Sequence, residues 1–129
     1  MILLDTHVLA WAAEDSSRLS RVATSEIRRA RRGGGLAVSA ITLWELSWQI
    51  SRGRIQAGGT VEATVQRMVE GVSILPITIE IAAIAAQFPE DYPRDPADRI
   101  IGATARAEGM TLVTRDERIR RSPLVRTVW

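Results

Sequence analysis

The residues best suited to chemistry in this chain are four acids. Asp5 closes the opening apolar run of MILLDTHVLAWAAED, with no basic residue beside it. Glu45 lies in SAITLWELS, Asp98 in RDPADRIIGATA and Asp116 in TLVTRDE. Each stands at the end of a short apolar run or inside the amphipathic stretch next to one. Carboxylates brought together repel and raise one another's pKa. A divalent cation cancels that penalty. A bound ion also lowers the pKa of a water, orients it and neutralises charge on a phosphate. Such a cluster therefore suits phosphodiester hydrolysis.

Each position also has a local explanation. Asp5 or Thr6 is a good cap for a first helix. Glu45 shares a polar stripe with Thr42, Gln49 and Arg52, the pattern of a solvated helix face, although Ile41 and Trp48 flank it closely. Asp95, Pro96 and Asp98 form a strong helix start, with Asp95 as cap, proline in the first position and Asp98 near the positive end of the dipole. Capping accounts for Asp95 and leaves the carboxylate of Asp98 free. Asp116 also fits a helix start. Singly, the local readings suffice; four such coincidences together favour convergence.

Composition narrows the ligand chemistry. The chain of 129 residues has the size of one domain, 1–129, and is 46% apolar, enough for a sizeable core. It has no cysteine and one histidine, His7, which excludes disulfides, thiolate-bound metal and a zinc site of several imidazoles. A metal must be held mainly by oxygen, as Mg²⁺ or Mn²⁺ are. All 17 basic residues are arginine, against 15 acids, for a net charge of +2. Without lysine there is no P-loop, Schiff base or receiver-domain lysine, whereas the arginine fork suits phosphate. No basic leader precedes the first apolar run, and no segment approaches the ~18 apolar residues of a membrane span. A cytoplasmic protein is expected.

Elements must then carry the acids to one place. Short apolar runs alternate with amphipathic stretches, the pattern of an α/β domain with a mainly parallel sheet. Strands are expected near 1–5, 36–39, 73–77, 111–114 and 124–128. Helices are expected near 6–14, 20–32, 40–52, 60–71, 79–87 and 96–108, with a short turn at 116–121. Glycines 33–35, Gly58, Gly59 and Gly109 punctuate them, the last as a helix C-cap. In an open parallel sheet, ligands bind beyond the carboxyl ends of the strands, where strand order switches. That topology suits Asp5, Glu45 and Asp116; chain order alone leaves the meeting of all four open. The arginine-rich SEIRRARR closes a helix where cations are favoured by the dipole, and reads first as a solvated surface. Trp44 and Trp48, one turn apart, read as core or interface packing.

In order and spacing along nearly the whole chain, LLDTHVLAW, SAITLWELS, DPADRIIGATA and TLVTRDERI resemble the PIN-domain ribonucleases, especially the VapC-type toxins of bacterial toxin–antitoxin pairs. The resemblance implies a PIN-like three-layer sandwich: a sheet of about five mainly parallel strands, helices on both faces, and strand order reversing beside the first strand. It implies an endoribonuclease dependent on Mg²⁺ or Mn²⁺ that cleaves single-stranded or looped RNA by metal-activated water, and a homodimer neutralised by a small cognate antitoxin.

Carried over position by position, Asp5 and Asp98 match metal ligands of the family. Glu45 and Asp116 complete the site, directly or through water. Thr6 and Thr114 are hydroxyls that orient water or carboxylates, and Asp95 supports the DPxDR motif. Arg99 is expected to meet a phosphate or steady the acids, and His7 to lie behind the ligands or in packing. Two rival classes stand beside this reading. A phosphoacceptor receiver wants paired acids after the first strand and a late lysine, which this chain lacks. A PIN-fold module that binds RNA or a partner without cutting keeps the fold but has no need of an intact acid set. A PIN nuclease of RNA processing is the alternative within the enzyme class.

Overall fold

The computed structural model describes residues 1–129. Five strands, β1 (Ile2–Leu4), β2 (Leu36–Ser39), β3 (Val72–Leu75), β4 (Leu112–Val113) and β5 (Thr127–Val128), form one sheet. Its order is β3-β2-β1-β4-β5, and every pair is parallel. Seven α-helices connect them: α1 (Thr6–Glu14), α2 (Arg21–Arg32), α3 (Ala40–Ser51), α4 (Val61–Met68), α5 (Ile79–Gln87), α6 (Pro96–Glu108) and α7 (Glu117–Arg120).

Strand periodicity separates the two cores. Leu4, Leu36, Val38 and Val113 face one side, where α1 to α4 supply Val8, Leu9, Ala23, Ile27, Leu46, Ile50 and Met68. Leu3, Ala37 and Leu112 face the other, against Ile81 and Ala85 of α5, Ile101 and Ala103 of α6, and Ile119 of α7. Both faces of the central strands are thus covered, which explains their unbroken apolar runs. The chain builds β1, β2 and β3 with helices on the first face. It then crosses to β4 with α5 and α6 on the second. This reversal puts the switch point beside β1, as the resemblance implied, and the carboxyl ends of β1 and β4 open onto it.

Local signals fix the element ends. Ser20, Ser39, Thr60 and Thr78 each cap the following helix through a side-chain oxygen. Gly109 ends α6 in the left-handed region at φ 64°, as its C-cap position requires. Most expected boundaries move by one residue at most, and three move further. The third strand stops at Leu75, because Pro76 has no N–H for the ladder. Its helix α4 ends at Met68, short of 71. The last strand keeps only Thr127 and Val128; ahead of it the Leu124 N–H is taken by the Ser122 hydroxyl and the Leu124 carbonyl by Arg106, not by a neighbouring strand.

Candidate active site

Asp5 follows β1 directly and caps α1. Its Oδ1 accepts the Thr6 N–H at 2.8 Å, and its Oδ2 accepts the Thr114 hydroxyl at 2.7 Å. The residue is only 4% exposed, so both bonds are needed to compensate a buried charge. Capping and site are therefore not alternatives at this position: one oxygen atom caps, and the whole group faces the switch point.

Glu45 joins Asp5 through a chain of hydroxyls. The Thr6 hydroxyl donates to Glu45 Oε1 at 2.5 Å and lies 2.9 Å from that of Thr42. A hydroxyl has one proton to give. With Thr6 donating to the carboxylate, Thr42 must donate to Thr6. Thr42 is fully buried and Glu45 is half-buried, so the first half of the stripe 42/45/49/52 is turned into the cleft rather than solvated. Burial raises the Glu45 pKa, opposed by the Thr6 bond and reinforced by repulsion from Asp5 and Asp95.

From the other side, Thr114 links Asp5 to Asp116 by accepting the Asp116 N–H at 3.1 Å. The Asp116 carboxylate caps α7, taking the Arg118 N–H at 2.9 Å and the Ile119 N–H at 3.4 Å. Asp95 caps α6 through the N–H groups of Ala97 (2.8 Å) and Asp98 (3.2 Å).

Asp98 differs from all of these, because its half-buried carboxylate takes no hydrogen bond and no ion pair from the protein. Its pKa is pushed up to about 7, first by burial and then by repulsion from Asp5, Asp95, Asp116 and Glu45. Five carboxylates from four distant segments thus share one field.

His7 borders this cleft. Its Nε2 accepts the Arg115 N–H at 3.1 Å, which leaves the proton of the neutral ring on Nδ1, 3.6 Å from Asp5 Oδ2. Burial lowers its pKa, against the pull of Asp5 and Asp116. The ring packs edge-on against Trp11.

Arg99 corrects the expectation that it meets a phosphate or steadies the acids. Its guanidinium is taken by the carbonyls of Ala85 (3.3 Å), Phe88 (2.8 Å), Pro89 (3.1 Å) and Tyr92 (3.5 Å). It holds the proline-rich loop against α6. Of the two readings of Trp44 and Trp48, core packing does not hold and interface packing is untouched: both are exposed on α3, stacked on each other at 5.6 Å, with Arg52 over Trp48. Sequence reasoning missed Tyr92, which is buried and donates its hydroxyl to the Asp98 carbonyl at 3.2 Å. Its signal was a lone tyrosine between two prolines in an otherwise polar loop.

The donor set fits a hard divalent cation. It is entirely carboxylate and hydroxyl oxygen, with Asp98 free of any protein cation. The acids share one field without three of them closing on a single point.

Comparison with known proteins bears on the fold and the lineage. The family model described as the PIN domain matches residues 2–123. Ribonuclease VapC22 of Mycobacterium tuberculosis is 42% identical over 130 aligned positions, covering 99% of this chain and 98% of the relative. Among solved structures, VapBC2 from Rickettsia felis bound to a promoter DNA fragment superimposes with a TM-score of 0.77 at 18% identity, over 99% of this chain and 98% of that one. A toxin–antitoxin complex from Klebsiella pneumoniae gives 0.70 at 22% identity, over 100% and 97%. The two structural likenesses carry the fold, and the full-length relative and the family model carry the lineage: this chain belongs to the PIN-domain family, among its VapC-type members.

Proposed function

We propose that the protein is a metal-dependent endoribonuclease, the toxin of a toxin–antitoxin pair. The observation that carries the reading is Asp98, a half-buried carboxylate with no hydrogen bond or ion pair, raised to about 7 first by burial and then by repulsion from four other acids. A purely structural site has no reason to leave that repulsion unrelieved. The name of the 42% identical relative, a ribonuclease, supports the same activity.

Asp5 and Asp98 would hold Mg²⁺ or Mn²⁺, with Glu45 and Asp116 contributing directly or through water. The ion, when bound, supplies a water of lowered pKa and neutralises charge on the phosphate. The protein's own groups do the rest. Thr114 and the Thr6 N–H fix both oxygens of Asp5, so its orientation is set before substrate arrives. Thr42 and Thr6 aim Glu45, whose raised pKa suits it to take a proton from the attacking water. Water adds to phosphorus in line; the bond to the 3′ oxygen breaks, and that oxygen takes a proton. The ends are a 3′-hydroxyl and a 5′-phosphate.

The antitoxin is a small protein that lays an apolar segment along Trp44 and Trp48 and sets a basic side chain against the acids. Ile74, Ile77 and Ile79, exposed along the β3 edge and the start of α5, offer a face for a second copy in a homodimer. No helix is long and apolar enough to cross a membrane.

The test is cleavage of structured RNAs by purified protein in Mg²⁺ or Mn²⁺, beside Asp5→Asn. Wild type should cut, and the variant should lose at least about a hundredfold in rate, the scale of losing preorganised electrostatic stabilisation. Equal cleavage by both proteins removes the assignment.

A further inference from the structure

A second cleft, of about 510 Å³, opens beside the acids and shares Asp116 with them. Its walls are aromatic. Trp11, one turn beyond His7 on α1, meets the His7 ring at 5.0 Å and the Trp129 ring at 6.0 Å, both edge-on. Its rim carries two arginines, Arg115 and Arg120, beside the carboxylates of Asp116 and Glu117. Arg99, Arg106, Arg121 and Arg126 donate to backbone carbonyls of their own chain. The side chains of Arg115 and Arg120 make no hydrogen bond and no ion pair. Arg115 leans over Trp11 at 5.7 Å from its centroid, and Arg18 lies over the same ring at 4.2 Å, so Trp129 offers the less covered indole.

The cleft is also tied to the acids. The Arg115 N–H is held by His7, which faces Asp5, and Asp116 begins the short helix that carries Arg120. A group seated between the indoles and the two guanidiniums is thus registered against the carboxylates. Free guanidinium forks select phosphate, and the half-buried indoles of Trp11 and Trp129 leave part of a flat π-surface open to the cleft. An inorganic anion has no use for the indoles. A base-paired nucleotide cannot reach them, because its faces are already stacked.

We infer that this cleft binds the nucleotide next to the scissile phosphate, with its unpaired base against Trp11 and Trp129 and its phosphate on Arg115 and Arg120. The inference rests on the nuclease reading. It assigns to Trp129, Trp11, Arg115 and Arg120 a part in the preference for unpaired RNA that the family resemblance implies.

Binding is measured by fluorescence anisotropy on Asp98→Asn protein, which should not turn over. The probes are a short labelled single-stranded RNA of mixed sequence, a fully paired RNA duplex, and a polyglutamate peptide. The single strand should bind most tightly. Trp129→Ala should weaken it by about tenfold, as loss of one base–aromatic stack does, with recovery in Trp129→Phe. Arg115→Ala combined with Arg120→Ala should lower the slope of log affinity against log salt by about 1.4, the share of two phosphates on a single strand. Arg28→Ala with Arg32→Ala, on α2, should change neither. Circular dichroism verifies that each variant is folded. An unchanged slope in the folded Arg115/Arg120 variant overturns the proposal. So does tighter binding of polyglutamate than of RNA, which would give the cleft to an acidic protein partner. Wild-type protein that binds single strands in this way but cuts none would overturn the nuclease reading and leave the subsite standing.

Discussion

At the scale of single residues, the cost of the site is concentrated in Asp98. Its carboxyl ionises at about 7 in the folded protein, against an ordinary value of 3.8 in the unfolded chain. Between those values the folded protein keeps a proton that the unfolded chain has released. Stability from this group is therefore complete below 3.8 and is lost as pH rises through about 7. Asp98→Asn removes the titration. In metal-free buffer the variant should be more stable than wild type at pH 8, by about 1–2 kcal/mol once solvent screening of a half-buried group is allowed for. The gain should vanish near pH 4. Thermal melts of both proteins from pH 4 to 8 read this directly, and parallel curves would show that the acids do not share a field. The same substitution should abolish cleavage, so stability and activity move in opposite directions at one side chain. Asp5 should behave otherwise, because its charge is satisfied by Thr6 and Thr114. Asp5→Asn puts an amide where one of two donors now points, and should lose stability as well as activity.

At the scale of elements, α6 decides where Asp98 stands, and two devices hold it. One is Arg99, whose four carbonyl contacts pin the loop between α5 and α6. A lysine has no planar fork to span them, so Arg99→Lys should lose about as much stability as Arg99→Ala, on the order of 1.5–3 kcal/mol by denaturant titration. Full recovery by lysine would mean that charge alone matters there. The other device is Gly102. A Cβ at this position would lie 2.1 Å from the Tyr92 hydroxyl, 2.9 Å from its Cζ and 3.1 Å from Phe88 Cε2. Helix propensity favours alanine over glycine by about 1 kcal/mol. Overpacking should nevertheless win, with Gly102→Ala destabilising by about 1–3 kcal/mol. Adding Tyr92→Phe removes the oxygen that clashes most, so the double variant should be less destabilised than the sum of the two singles. Strict additivity in that cycle would place the alanine elsewhere than against Tyr92.

At the scale of the whole molecule, what was legible in the sequence was what is local. The cap formed by Asp95 and Pro96, the left-handed Gly109 and the apolar runs of β1 and β2 depend on near neighbours, and the observed elements fall where those signals put them. What depends on distant partners was not legible. Thr42 looks polar and solvated until Thr6, from another helix, is placed beside it. Arg99 looks available to phosphate until the 85–92 loop folds over it. The ends of β3 and β5 are set by what their neighbours can pair. Asp5, Glu45, Asp98 and Asp116 could be named as candidates from spacing, but only the sheet order brings their segments to one edge, and that closeness is what lets a cation act on the whole fold. An ion bound only by the folded state stabilises it by mass action, about 2.7 kcal/mol at a hundred times its Kd. For a chain of this length that is a rise of about 10 °C in Tm. Since Asp98 must give up its proton to become a ligand, the rise produced by a fixed concentration of Mn²⁺ should be larger at pH 8 than at pH 6. Asp98→Asn should show a small shift that no longer depends on pH across that range. Equal shifts in wild type and variant would place the ion away from these acids, and the folded chain would then carry their repulsion with nothing to relieve it.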